Sequence, residues 1–151
     1  MYLALVRGIP VPPKGTIEGA IARDPKNRKR MAVREGGKHA VTHYRVAERY
    51  SDAASLLECT LETGRTHQIR VHLSHLGHPV IGDPLYGRLR AGSLKGLPQD
   101  VRDTARAFPR QALHAAVLGF RHPVTGADVR FNAPPPRDMS KLIQALLHGV
   151  T

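Results

Sequence analysis

The residues best suited to binding or catalysis lie at positions 61–70, where a glycine and an arginine separate a strand-like run from a helical pattern. Gly64 permits a tight turn and the close approach of a substrate backbone. Arg65 stands where a helix would begin, so its planar guanidinium could pair with a carboxylate or a phosphate beside the positive end of that helix. The segment therefore predicts an anion site. A structural arginine that ties down the preceding sheet is the alternative, since short motifs also match by chance.

Four histidines within twelve residues suggest a second kind of chemistry, that of a metal centre. Zinc sites bring together three or four ligands at typical spacings, and no cysteine or glutamate accompanies these histidines. We expect no metal and no cofactor, and keep a metal-dependent hydrolase as an alternative that metal analysis of the protein would test. The single Cys59 lies in the middle of a predicted strand, where a thiol is usually inert. The four candidate ligands are His67, His72, His75 and His78.

The charge of the chain indicates its kind of partner. Its 151 residues carry 23 lysines and arginines against 12 aspartates and glutamates, a formal net charge of +11. Such a surface attracts polyanions, of which nucleic acid is the commonest, although charge alone does not separate RNA from DNA or acidic lipid. The basic residues are densest at positions 22–38, which we interpret as a mobile loop or ribbon that contacts phosphates. The predicted contacts there are Arg23, Lys26, Arg28, Lys29, Arg30, Arg34 and Lys38.

The elements that must position these groups follow from apolar periodicity. An apolar run at 2–6 predicts a strand that ends in a proline-rich turn, and alternation at 39–50 and 56–63 predicts an antiparallel hairpin. A helix should follow, with Thr66 as its N-cap and Gly77 as its stop.

The second half of the chain predicts a loop with a helical turn or two at 100–107 and a hairpin from 113–120 and 128–132. A last helix would be capped by Asp138. The fold class is α+β, mainly antiparallel (mixed) sheet with flanking helices, in one domain over 1–151. No apolar run approaches the roughly 20 residues of a membrane helix, and the lone cysteine favours the cytoplasm.

Five stretches of the chain together form a recognisable pattern. They are YLALVRG at 2–8, KHAVTHY at 38–44, LETGRTHQIRVH at 61–72, GHPVIGDPLYG at 77–87 and RQALHA at 110–115. In this order and spacing they resemble one known family, the pseudouridine synthases that act on large-subunit ribosomal RNA. The resemblance extends over nearly the whole chain and is greatest to the subgroup called ribosomal large subunit pseudouridine synthase D.

The resemblance implies a reaction: isomerisation of uridine to pseudouridine in 23S ribosomal RNA, without cofactor or metal, on a nucleotide flipped out of its stack. It implies that a buried aspartate does the chemistry and that Arg65 pairs with that aspartate. It also implies that Tyr2 stacks beside the base and helps to remove a proton from carbon, although a frayed terminal tyrosine is the alternative. The other residues of the motif predicted to contact RNA are Gly64, Thr66, His67, Gln68 and Arg70.

The sequence departs from the family pattern in one respect. The aspartate of the family lies upstream of the Tyr2 position, in a His-Arg-Leu-Asp segment that these residues do not contain. Asp83, in a Gly-Asp-Pro turn, is expected to cap structure instead. We therefore expect the C-terminal part of a synthase catalytic domain, without the upstream half or an N-terminal RNA-binding module, monomeric when full length. Alone it should bind ribosomal RNA or a pre-ribosomal particle but not catalyse. A non-catalytic RNA-binding protein or decayed fragment is the alternative.

Overall fold

A computed structural model describes residues 1–89 and 92–149, which fold as an α+β unit. The part of the chain so described contains nine strands and three helices. The strands are β1 (Tyr2–Arg7), β2 (Lys14–Glu18), β3 (Ile21–Arg23), β4 (Met31–Val33), β5 (Val41–Tyr50), β6 (Ala54–Leu61), β7 (Leu113–Ala115), β8 (Val117–Arg121) and β9 (Asp128–Asn132). The helices are α1 (Gln68–Leu76), α2 (Gln99–Arg106) and α3 (Arg137–His148).

A five-stranded sheet in the order β2-β5-β6-β1-β7 forms the centre of the fold, and all its pairings among the described residues are antiparallel. The predicted strand at 2–6 and the predicted hairpin are confirmed as β1 and as the β5–β6 pair. The main apolar core joins this sheet to all three helices and includes Leu5, Leu57, Leu73 and Leu142, each no more than 1 % exposed. Burial of these apolar side chains is the main stabilising contribution.

Two further hairpins stand apart from the sheet, β3–β4 and β8–β9. The first carries the basic segment, so of the loop and the ribbon predicted there the ribbon is confirmed. It packs on α1 through a second, smaller apolar cluster that includes Ile21, Val71 and Tyr86. Gly37 is needed where the chain returns along this hairpin, because a Cβ there would lie 2.6 Å from the carbonyl carbon of Ile21. The basic ribbon is thus a packed part of the fold.

The start of α1 differs from the prediction. The helix begins at Gln68, and the residue before it, His67, has a left-handed backbone with φ of 56° and no side-chain cap. Thr66 is therefore not the N-cap, because the chain turns sharply after it and the Gln68 side chain satisfies the preceding turn instead. The predicted stop at Gly77 is confirmed, with φ of 97° and its N–H bonded to helix carbonyls.

Two other elements also differ from the sequence interpretation. Strand β2 was not predicted, because Ile17 is its only buried residue and its alternation is therefore weak. Helix α3 begins at Arg137, directly after Pro136, so Asp138 is inside the helix and not its cap. One Asp138 carboxylate oxygen accepts the N–H of Met139 and pairs with Arg110 at 2.6 Å.

Candidate active site

The turn that carries Arg65 is shaped by the buried side chain of Gln68. Its Oε1 accepts hydrogen bonds from the Thr63 hydroxyl at 2.7 Å and from the Arg65 N–H at 3.0 Å. Its Nε2 donates to the Val41 carbonyl at 2.9 Å and to the Thr42 hydroxyl at 3.0 Å. Both donor hydrogens and both acceptor positions of the amide are thus used inside the protein. RNA contact by Gln68 stays a prediction. In the structure its amide joins the turn, through Thr63 and Arg65, to Val41 and Thr42 of β5.

Among the described residues, the Arg65 guanidinium is anchored through one nitrogen. Its Nε–H donates to the His39 carbonyl at 2.8 Å, which holds the side chain across the end of the sheet. Within residues 1–89 and 92–149, its two terminal nitrogens form no ion pair with the protein. Terminal nitrogens presented in this way can bind both oxygens of a carboxylate or phosphate.

Tyr2 and Arg65, which are distant in sequence, line one open cleft of about 220 Å³. Its apolar wall includes Leu61, Ile69 and Leu113, and none of its described lining residues is an aspartate or glutamate. Tyr2 is not frayed: it is paired with Cys59 of β6 and with Ala115 of β7. A phenol, an arginine and an apolar wall in one cleft can hold a flat aromatic group next to an anion.

A second cleft, of about 480 Å³, lies on the other side of the same turn, between that turn and the basic hairpin β3–β4. Arg23, Lys38 and Thr66 line it, and Gly64 and Arg65 line both clefts. Gly64 does not have a positive φ, and a Cβ there would meet nothing within 4 Å. Glycine is thus not required by the backbone of this turn, and the space beside it is open to a ligand from either cleft.

The remaining basic residues of the hairpin fall into two groups. Lys26, Arg28 and Lys29 are exposed at its tip, outside both clefts. Arg30 and Arg34 are used in the fold, since Arg30 donates to the Leu85 carbonyl at 3.1 Å and Arg34 to the Arg23 carbonyl at 3.4 Å. The tip can therefore reach a phosphate backbone, while the base of the hairpin holds its shape.

Arg70, predicted from the motif to contact RNA, is buried in an ion pair with Asp83. Two hydrogen bonds of 2.8 Å join the guanidinium to both carboxylate oxygens. Burial by itself raises the pKa of Asp83, but hydrogen bonds from Arg70, Leu85 and Tyr86 outweigh it, and the pKa lies below its ordinary value. The hydrogen bond to Asp83 raises the pKa of Arg70. Asp83 thus stabilises a turn, as predicted, and RNA contact by Arg70 stays a prediction.

The four histidines do not converge. Nδ1 of His67 lies 2.9 Å from the Tyr86 hydroxyl, His72 lies between the Thr42 hydroxyl and the Gly19 carbonyl, and His78 contacts the Arg7 carbonyl. Burial lowers the pKa of His72. Over the described ranges, no three His, Cys, Asp or Glu side chains are placed to hold a metal ion. These histidines therefore give the hydrolase alternative no ligand set.

Two residues near the site were not singled out from the sequence as site residues. Tyr86 and Met31 contact each other, and Tyr86 also contacts His67, next to the Arg65 turn. The signal for Tyr86 was its place in the GDPLYG stretch, whereas nothing in the local pattern marks Met31. No helix among the residues described is long and apolar enough to cross a bilayer.

Comparison with known proteins shows which proteins this chain is similar to. The family model described as RNA pseudouridylate synthase matches residues 1–75. The chain is 53% identical over 149 residues to "Ribosomal large subunit pseudouridine synthase D" of Xanthomonas campestris pv. campestris, covering 96% of this chain and 43% of that protein. It is 47% identical over 132 residues to the protein of the same name from Escherichia coli K12, covering 87% of this chain and 40% of that protein. The chain thus spans less than half the length of these relatives.

Solved structures agree with the sequence matches. The fold is similar to "Human RNA Pseudouridylate Synthase Domain Containing 4", with a TM-score of 0.70 and 24% identity, over 97% of this chain and 61% of that one. It is also similar to "Human RNA Pseudouridylate Synthase Domain Containing 1", with a TM-score of 0.67 and 30% identity, over 97% of this chain and 64% of that one. With its match to the family model, its relatives and its partial catalytic-domain fold, this chain belongs to the RNA pseudouridine synthase family.

Proposed function

We propose that this chain is the C-terminal part of a catalytic domain that isomerises uridine to pseudouridine in large-subunit ribosomal RNA. Tyr2 contacts the flipped base, and Arg65 orients the catalytic aspartate. The observation that supports this most directly is the single cleft that both residues line, 63 positions apart in the chain. The names of the relatives support an RNA substrate from the large subunit. A monomeric, cytoplasmic protein stays a prediction.

The free terminal nitrogens of Arg65 give the proposal its chemical content. They lie at a cleft whose described lining has no carboxylate, so the aspartate that they orient would come from residues outside this lining. Once paired, that aspartate would stay ionised at neutral pH, because a guanidinium within a few ångströms lowers the pKa of a carboxyl group. In the reaction the bond from the uracil nitrogen to the ribose breaks and a bond from a uracil carbon to the same ribose carbon forms. The aspartate would assist the detachment, and Tyr2, as general base, would accept the proton that this uracil carbon loses while the freed nitrogen takes up a proton.

We expect the purified 151-residue chain to form little or no pseudouridine in large-subunit ribosomal RNA. The physical reason is that the described residues lining the cleft of Arg65 include no carboxylate to start the reaction. Nucleoside mass spectrometry of RNA incubated with the chain measures the outcome, and a polypeptide extended upstream through an aspartate segment is the positive control. Robust pseudouridine formation by the chain alone would contradict the outside origin of the aspartate.

The basic hairpin is expected to bind RNA phosphates through its tip. Changing Lys26, Arg28 and Lys29 to glutamine should weaken RNA binding and reduce the slope of log affinity against log salt by about two, since each phosphate contact contributes about 0.7–0.9. Fluorescence anisotropy with labelled RNA at several salt concentrations measures both quantities.

A matched control separates local contact from net charge. A variant with the same charge loss elsewhere changes exposed residues of β5 and α3 to glutamine, at Arg49, Arg137 and Lys141. This control variant should keep most of the slope of log affinity against log salt. Equal losses in the two variants would show that the tip makes no specific phosphate contact.

The alternative of a purely RNA-binding protein is tested by translating the gene upstream of Met1. Unrelated sequence there favours an RNA-binding protein, and a His-Arg-Leu-Asp segment favours the enzyme.

A further inference from the structure

The hydroxyl of Tyr86 joins two parts of the molecule that the proposed reaction uses together. The backbone N–H of Met31, in strand β4 of the basic hairpin, donates to it at 2.7 Å. Nδ1 of His67, next to the turn that carries Arg65, lies 2.9 Å from the same oxygen. Met31 and Tyr86 are 55 positions apart in the chain, and one hydroxyl contacts both elements. The phenol is therefore a direct polar link between hairpin and turn.

The ring of Tyr86 is itself held in place on several sides. The guanidinium carbons of Arg30 and Arg70 lie 5.0 Å and 5.1 Å from its centroid, within the range of cation–π attraction. Arg70 cannot move freely because Asp83 binds it with two hydrogen bonds. The His67 ring meets the phenol edge-on, with centroids 5.7 Å apart and planes at 79°. With 8 % of its surface exposed, Tyr86 is a fixed support for the hydroxyl.

The hydrogen bonds of the phenol also select a form of His67. The Met31 N–H donates to the phenol oxygen, and Nδ1 of His67, 2.9 Å away, is an acceptor for the phenol proton when that nitrogen is unprotonated. His67 is then neutral, with its own proton on Nε2. The lowered pKa of His67, caused first by burial and then by the Arg70 charge, agrees with the neutral form. His67 lines the cleft of Tyr2 and Arg65, and in this form its Nε2–H would be the ring donor for a ligand there.

We propose that Tyr86 is a positioning residue for RNA binding: its hydroxyl sets the basic hairpin relative to the Arg65 turn and holds His67 as the Nε2–H donor. This inference rests on the proposed function, because it assumes that one RNA strand contacts the hairpin and the Arg65 cleft at the same time. Tyr86 touches no substrate in this arrangement. It acts through Met31 and His67, by presenting two binding surfaces at a constant separation, which lowers the cost of ordering them when RNA binds.

The test compares Tyr86→Phe with Tyr44→Phe in the 151-residue chain. Both changes remove only a hydroxyl from a buried tyrosine, and the Tyr44 hydroxyl donates to the Pro12 carbonyl at 2.8 Å, away from the hairpin and the cleft. We expect Tyr86→Phe to raise the dissociation constant for a labelled RNA stem-loop with uridine in its loop about threefold to tenfold, the usual effect of one lost hydrogen bond. Tyr44→Phe should leave this constant within about twofold of wild type. Both dissociation constants are measured at a temperature well below the unfolding midpoint of each variant.

A spectroscopic measurement separates positioning from stability. Imidazole nitrogen chemical shifts should show His67 with its proton on Nε2 in the wild type and in Tyr44→Phe, and a mixture of tautomers in Tyr86→Phe. Unchanged affinity and an unchanged tautomer in Tyr86→Phe would overturn the positioning role and leave the proposed function standing. An equal loss of affinity in Tyr44→Phe would overturn it as well, as an effect of stability. If the wild-type chain does not bind the stem-loop, the proposed function itself fails.

Discussion

Replacing Asp83 with alanine is expected to lower the free energy of unfolding by about 3–5 kcal/mol, the usual effect of removing one partner from a buried ion pair. The carboxylate accepts two hydrogen bonds from Arg70 and one each from the backbone N–H groups of Leu85 and Tyr86, and its side chain is fully buried. Alanine would leave a buried guanidinium and two N–H groups without acceptors. Urea unfolding followed by circular dichroism measures the change.

Asp138→Ala is the matched control for that experiment. It breaks another aspartate–arginine pair, with Arg110, but the two side chains are 43% and 40% exposed. Solvent-exposed pairs contribute about 1 kcal/mol or less, so this variant should remain near wild type. Equal losses in the two variants would contradict a special role for the buried pair.

The same carboxylate predicts a pH dependence of stability. The folded-state pKa of Asp83 lies below its ordinary value, so its contribution is fully present above the unfolded pKa of about 3.9. It is lost as the pH falls from there through the folded pKa, because the proton then binds the unfolded state more tightly. In Asp83→Asn this part of the acid dependence should disappear. An identical acid slope in wild type and Asp83→Asn would assign the dependence to other carboxylates.

Replacing Arg65 with alanine is expected to reduce kcat for uridine isomerisation about 100- to 1,000-fold in a polypeptide that includes the catalytic aspartate. The reason is that, under the proposed function, the terminal nitrogens of Arg65, which form no ion pair within residues 1–89 and 92–149, orient that aspartate. Because this interaction belongs to the reacting groups, kcat and kcat/KM should fall together while the affinity for RNA changes little. Single-turnover assays with the enzyme in excess over RNA, at several enzyme concentrations, separate the rate of the reaction from the affinity for RNA.

Two further variants define the role of Arg65. Arg65→Lys keeps the charge but cannot reproduce the two-nitrogen geometry, so it should restore only part of the rate. Arg45→Ala is the control, since Arg45 is an exposed arginine of β5 that pairs with Glu58 on the sheet surface. It should retain wild-type activity. If Arg65→Ala raised KM alone, Arg65 would be an RNA-binding residue and not the partner of an aspartate.

Local patterns in the sequence were sufficient for the elements with a clear period. Strand β1, the β5–β6 hairpin and the glycine stop of α1 follow from alternation, apolar spacing and the left-handed preference of Gly77. Strand β2 has one buried residue, so its pattern was too weak to read. The N-cap of α1 was misassigned to Thr66, because the competing turn is held by Gln68 through bonds to residues on both sides of the sheet end.

The sequence by itself determined the family, the α+β class and the net positive charge that predicts a polyanionic partner. It also supplied, through the resemblance, the two residues implied for the reaction, Tyr2 and Arg65. Only the tertiary structure decided which polar side chains are engaged by the protein. Arg65 and Arg70 are five residues apart in one motif and line the same cleft, yet the terminal nitrogens of Arg65 form no ion pair within the described residues, whereas both carboxylate oxygens of Asp83 bind Arg70. The physical reason is that a side chain's partners are set by long-range packing, which local spacing does not encode.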